Sequence, residues 1–177
     1  MKSKLSALLI FMICMSCYGQ DLSRKYPDIY KEVSFIDKNK SLKKVFIKNP
    51  KFLEQSADGG LSLTGYIDNE EKVRKIEVII YLSNGVQEYS FYLKNELLFL
   101  VSDKFKQFLW DKELNEFNYK KFDGGYSGIY VFHDKKLIDL QSLGHNRFED
   151  DTIDIEEVFL KELNLYLGSI NRQIKTE

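Results

Sequence analysis

Between residues 75 and 93 apolar and polar positions alternate, and between 155 and 170 apolar positions recur every three to four residues. The first period marks a half-buried strand, the second an amphipathic helix. Lys75-Ile76-Glu77-Val78-Ile79-Ile80-Tyr81-Leu82 is rich in β-branched and aromatic residues. Asn84-Gly85 follows, and both residues tolerate positive φ, which makes the pair a strong hairpin signal. Gln87 to Leu93 supplies the return strand. A two-residue turn at Asn84-Gly85 pairs Ile80 with Tyr89, Val78 with Phe91 and Ile76 with Leu93 on one apolar face. It pairs Tyr81 with Glu88, Ile79 with Ser90 and Glu77 with Tyr92 on the other. A slip of one residue would mix the two faces.

The neighbouring segments extend this hairpin. Leu97-Leu98-Phe99-Leu100-Val101 is apolar on both faces, as a covered central strand would be. Leu61 to Ile67 alternates imperfectly and leads into the polar turn Asp68-Asn69-Glu70-Glu71. Together these stretches predict a four-strand antiparallel meander, with Lys44-Val45-Phe46-Ile47 as a short edge strand. Further on, Ile129 to His133 turns at Asp134-Lys135 into Leu137-Ile138-Asp139-Leu140. Asp58-Gly59-Gly60 and Asp123-Gly124-Gly125 precede these two parts of the chain as a weak internal repeat, and both read as turns because glycine reaches positive φ at little cost.

Helices flank the sheet. Asp154 and Glu157 have capping-box spacing, and Ile155, Phe159, Leu163, Tyr166 and Ile170 form one apolar stripe, which predicts a helix over 153–172. Pro27 suits the first turn of a short helix carrying Ile29, Tyr30 and Val33. In 103–122, Phe105, Phe108 and Leu109 fit a helical face. The expected fold is α+β: an antiparallel β-meander sheet with a C-terminal helix packed on one face and a short N-terminal helix.

The first residues carry a different signal. Lys2 and Lys4 precede an uncharged, largely apolar run from Leu5 to Met15, too short to span a bilayer, which needs about 20 apolar residues. A basic start followed by such a run is the pattern of a secretory signal. Cys17 and Gly19 are small residues at the positions signal peptidase reads, which makes residues 1–19 a signal peptide and Gln20 the first residue of a thiol-free mature chain. The competing reading is lipidation at Cys17, with Ser16 a suitable neighbour and Cys14 a poor one. Residues 20–177 are then a single α+β domain by length.

Composition narrows the function classes. Loss of Lys2 and Lys4 leaves 24 basic against 27 acidic residues, a net charge of −3. That balance gives no electrostatic reason to expect nucleic acid, and the membrane is expected as a partner only if Cys17 is lipidated. Cys14 and Cys17 are the only cysteines. The mature domain therefore has no disulfide, thiol nucleophile or thiolate metal site, and its stability has to come from apolar burial.

Motifs that carry chemistry are sparse. His133 and His145 lack the spacing of a metal site and read as loop residues. The acidic run Glu149-Asp150-Asp151, with Asp154, Glu156 and Glu157, lacks the alternation and glycine of a calcium loop and instead suits the positive end of a helix dipole. No phosphate-cradling glycine pattern and no activated-serine motif is present. No cofactor and no catalytic residue is assigned. The sheet face carrying Ile79, Tyr81, Tyr92, Phe99 and Val101 is apolar and aromatic. It is the candidate binding surface wherever the N-terminal segment and 103–122 leave it open.

Leu63-Thr64-Gly65-Tyr66-Ile67-Asp68, Lys75-Ile76, Tyr89 to Phe99, and later Tyr130-Val131-Phe132 with Lys136-Leu137-Ile138 resemble the rhythm of small uncharacterised exported proteins of Bacteroidota-type bacteria. The resemblance covers residues 61–140. It implies a β-rich fold and an exported location, periplasmic, extracellular or lipid-anchored to the envelope, and carries over no activity. The resulting expectation is a non-enzymatic binding or interaction module whose partner is an unknown protein or small ligand. The alternatives are an immunity or inhibitor protein against a secreted hydrolase, and a cell-wall or glycan-acting enzyme built on two converging carboxylates.

Overall fold

A computed structural model describes residues 21–48, 50, 59–150 and 152–176. The expected export signal, the processing sites and Asp58 lie outside the described residues. Among the described residues seven strands follow one another in space as they do in sequence: β1 (Lys43–Lys48), β2 (Leu61–Ile67), β3 (Val73–Leu82), β4 (Gly85–Lys94), β5 (Leu97–Asp111), β6 (Glu116–His133) and β7 (Lys136–Leu143). Every neighbouring pair is antiparallel. Among the described residues three helices accompany them: α1 (Leu22–Lys25), α2 (Pro27–Lys38) and α3 (Ile155–Ile174). The α+β meander expected from the sequence is the fold.

The hairpins show which turn residues act. Asn95 and Glu96 join β4 to β5 with φ of 50° and 64°, and Asp134 and Lys135 join β6 to β7 with φ of 47° and 66°. Positive φ at both central residues gives the turn whose twist matches paired strands. The β3–β4 turn differs from expectation. It falls on Ser83-Asn84, so Leu82 pairs with Gly85, Val78 with Tyr89 and Ile76 with Phe91. The pairing moves by two residues, which keeps every side chain on its expected face. Gly85 belongs to the strand because β5 passes close by. A Cβ on it would lie 2.4 Å from the Lys106 carbonyl oxygen and 2.5 Å from the Phe105 ring, and the Phe108 amide donates to the Asn84 carbonyl at 2.9 Å.

Helix α3 covers one sheet face. The Asp154 carboxylate accepts from the Glu157 amide at 3.0 Å, capping the first turn as its spacing predicts. Phe159, Leu163, Tyr166 and Ile170 are buried against Ile76, Val78, Phe91, Leu93 and Val101. The Phe91 ring meets Phe159 and Tyr166 edge-on, at 5.9 and 5.3 Å between centroids, the favoured aromatic arrangement. Gly65 on β2 admits Ile170: a Cβ there would sit 2.9 Å from the Ile170 Cδ1.

Helix α2 covers part of the opposite face. Pro27 stands in its first turn. Ile36 and Leu42 are buried with Tyr92 and Leu100, and Ile29, Val33, Tyr66, Phe99 and Ile129 pack around them. Charge pairs hold the helix down: Glu32 binds Arg74 at 2.8 Å and Lys94 at 3.0 Å, and Asp37 binds Lys75 at 2.7 Å. At the other end Lys25 and Tyr26 both reach Asp139 on β7, at 2.6 and 3.1 Å.

The helical reading of 103–122 is wrong. These residues belong to β5, β6 and the turn between them. Register shifts flank Phe108, between Lys106 and Phe108 and again between Phe108 and Leu109. Such irregularities break the two-residue period and leave a spacing that mimics one helical face. Asp123-Gly124-Gly125 is likewise no turn between strands. It lies inside β6, where Gly124 and Gly125 take φ of 87° and 133°.

Candidate functional site

The five residues proposed as a binding face do not share one. Ile79, Tyr81, Tyr92 and Phe99 lie on the α2 side of the sheet, whereas Val101 is fully buried on the α3 side opposite Phe91. The cause is a bulge: Tyr92 pairs with Leu100 and Leu93 with Leu98, so Phe99 is an extra residue that reverses the alternation after it. Tyr92 is buried beneath α2 with its ring 6.2 Å from that of Phe99. Tyr81 is exposed and Ile79 half-buried.

Beside the end of α2 the same face forms a concavity of about 450 Å³. Ile36 and Leu42 line it with apolar surface, and Tyr66, Lys75 and Glu77 contribute from β2 and β3. The Lys75 ammonium reaches Asp37 at 2.7 Å and Glu77 at 2.8 Å. The Tyr66 hydroxyl donates to Glu77, and the Tyr92 hydroxyl to Asp37 at 3.2 Å. Burial works to lower the Lys75 pKa, but the hydrogen bonds to Asp37 and Glu77 outweigh it and raise it. Burial pushes both tyrosines up to about 12. Lys75 is therefore a fixed cation and both hydroxyls are neutral donors. A lysine held this way is a poor nucleophile, since amine attack requires the deprotonated form. Asp37 and Glu77 do converge, but around a cation that already engages both.

A second polar cluster lies within the α3 side. Asp103 on β5 is completely buried, opposite Tyr89 on β4 and Gly128 on β6. Gln87 Nε2 donates to Asp103 Oδ1 at 2.5 Å. The Tyr130 ring lies across Gly128, where a Cβ would come within 2.8 Å of the ring hydroxyl. Tyr126 leans toward the carboxylate, yet Asp103 Oδ2, the Tyr126 hydroxyl and the Tyr130 hydroxyl each lack a well-formed hydrogen bond. Arg147 closes the cluster. Its guanidinium is 5.0 Å from the Tyr89 ring centre and 5.3 Å from that of Phe159, and it binds Glu162 through two nitrogens at 2.6 and 2.9 Å. Burial pushes the Asp103 carboxyl up to about 6, against the opposing pull of Tyr126, Arg147 and Gln87.

The third feature is an arm. Pairing of β5 with β4 stops at Gln107, and pairing of β6 with β7 starts at Ser127. From Leu109 to Asp123, β5 and β6 pair only with each other. Aromatic contacts stiffen this ribbon: Phe108 stacks on Phe122 at 5.4 Å and meets Tyr119 edge-on at 5.1 Å, and Trp110 meets Phe117 edge-on at 4.9 Å. Trp110, Leu114, Tyr119 and Phe122 nevertheless remain 42–67% exposed.

Other candidates of the sequence have local partners. His133 is exposed beside Asp134, and the His145 Nδ1 lies 2.8 Å from Glu149. Within the acidic run, Asp150 bonds the Thr152 amide, Asp154 caps α3, and Glu156 accepts from the Leu137 amide at 2.7 Å. Among the described residues no group of three or more His, Cys, Asp or Glu is placed to hold a metal ion, and no described helix is long and apolar enough to cross a membrane.

The features sequence reasoning missed are the Lys75 network, the Asp103 cluster and the arm. Asp103 had a visible signal: it occupies a core-facing step of the alternation Val101, Asp103, where an apolar residue is the rule. No protein-family model, no curated protein and no solved structure matches this chain.

Proposed function

We propose that this chain is an exported, non-enzymatic binding module that engages a protein partner through the β5–β6 arm. The observation that carries the reading is the uncovered set Trp110, Leu114, Tyr119 and Phe122 on a two-stranded ribbon that extends past its neighbours. Aromatic side chains that stay exposed on a stiff element are the anchors from which interfaces draw most of their energy. Lys75 locked as a cation and Asp103 sealed from solvent both weigh against the enzyme reading. The signal-like first residues and the resemblance to exported proteins of Bacteroidota-type bacteria support the location. A projecting ribbon also has a shape able to enter a cleft, which suits an inhibitor or immunity protein for a secreted hydrolase.

Affinity capture from an envelope extract tests the proposal. Wild-type chain and the Trp110→Ala/Tyr119→Ala/Phe122→Ala variant serve as paired baits. The expected result is one abundant partner retained by the wild type and at least tenfold depleted on the variant, since central aromatic anchors each contribute about 2 kcal/mol or more. A partner retained equally by both baits assigns binding to another surface.

A further inference from the structure

The chain is nearly neutral as a whole, but its charges are locally segregated. Residues 31–48 hold six lysines and two acids, Glu32 and Asp37. Both acids are paired with cations of the sheet, Glu32 with Arg74 and Lys94 and Asp37 with Lys75, although Asp37 itself stays exposed. Lys31, Lys38, Lys40, Lys44 and Lys48 are exposed. The first three line one groove on α2 and its exit together with Phe35. The last two alternate with Phe46 along β1, where Lys44 faces Tyr66, Phe46 faces Thr64 and Lys48 faces Ser62. This is the sheet face on which α2 packs. Phe35 and Phe46 are 59% and 60% exposed.

We propose that this α2–β1 surface docks on an anionic lipid bilayer, with the lysines among the headgroups and Phe35 and Phe46 at the acyl boundary. Charge complementarity selects a polyanion, because five exposed lysines of residues 31–48 stand against one exposed acid, Asp37, which is already paired with Lys75. The two phenylalanines select lipid among polyanions. At a bilayer surface they gain an apolar environment, which a soluble polyanion does not offer. The concavity of about 450 Å³ on this face is bordered by Lys40, Lys44 and Lys75 and by Asp37 and Glu77, whose carboxylates already engage Lys75. Lys44 is oriented there, its ammonium 5.2 Å from the Tyr66 ring centre. The surface is distinct from the β5–β6 arm, so a protein partner and a membrane can be engaged together.

The test is vesicle co-sedimentation of the chain beginning at Gln20, which contains every described element. The probes are phosphatidylcholine vesicles with and without phosphatidylglycerol at about a third of the lipid. Each lysine near an anionic surface contributes about 1 kcal/mol, a fivefold change in partitioning. The expected result is binding to the anionic vesicles alone, weakened by salt. It falls about a hundredfold in Lys38→Gln/Lys40→Gln/Lys44→Gln, falls severalfold in Phe35→Ser/Phe46→Ser, and is unchanged in the triple arm variant. All these positions are exposed, and circular dichroism checks that each variant is folded. Absence of binding, equal binding to both vesicles, or loss in the arm variant overturns the proposal. So does wild-type binding by the phenylalanine variant, which marks a site for a soluble polyanion instead.

Discussion

Replacing Asp103 by Asn makes the strongest test of the core. Asp103 is completely buried and its pKa rises from 3.8 to about 6, chiefly through burial. The native state therefore keeps a proton that the unfolded chain has already released. As pH rises from about 4 to about 6, the unfolded state gains the free energy of ionisation while the native state does not, and stability falls. At 1.36 kcal/mol per pKa unit the full loss is about 3 kcal/mol, reached above pH 6. Asn keeps the acceptor that Gln87 binds and stays neutral at every pH. The expected outcome is that Asp103→Asn is more stable than wild type by about 2–3 kcal/mol at pH 7.5 and equal to it near pH 4. Urea unfolding at a series of pH values between 4 and 8, followed by circular dichroism and by the fluorescence of Trp110, the one tryptophan, measures the difference. A gap that does not change with pH, or a variant that is less stable at pH 7.5, would refute the reasoning. It would mean that the ionised carboxylate is held by Arg147 and Tyr126 more strongly than burial penalises it.

Other changes probe the packing of the two helices. Ile170→Ala removes the side chain that fills the space above Gly65 and should cost about 2–5 kcal/mol in urea unfolding; a loss below about 1 kcal/mol would show that α3 is not closely seated on β2. Lys75→Met leaves Asp37 and Glu77 without their shared cation. Because both carboxylates are partly exposed, the expected cost is about 1–2 kcal/mol, with faster amide exchange confined to α2; uniform exchange across the sheet would contradict the clamp.

The sheet was readable where local rules sufficed. The alternation in β3 and β4 assigned the correct faces even though the turn was placed one residue late, because a two-residue change of pairing leaves the faces intact. The stripe from Phe159 to Ile170 and the Asp154 cap located α3 for the same reason, since cap and stripe are both local to the helix. Phe99 and Val101 were misjudged because a bulge depends on the partner strand and leaves no mark in the strand itself. The arm was illegible as a pair of strands because its irregular register scatters Phe108, Tyr119 and Phe122 off any fixed period. Lys75 and Asp37 come from two elements and lie 38 residues apart in sequence, and nothing local announces their meeting. The lysines of residues 31–48 were visible as a run, but nothing local showed that their two acids are already paired with cations of the sheet.

The strictly sequential order of the sheet has a kinetic consequence. Each strand pairs with the one just before it, so a chain released N-terminus first can assemble the meander hairpin by hairpin, closing only short loops. The exception is α3, formed by the last residues yet seated against Gly65 on β2. Until α3 arrives, the apolar side bearing Ile76, Val78 and Phe91 stands uncovered. A chain cut short before residue 155 would therefore leave that side without the cover that Phe159, Leu163, Tyr166 and Ile170 provide, and exposed apolar surface of this kind favours aggregation.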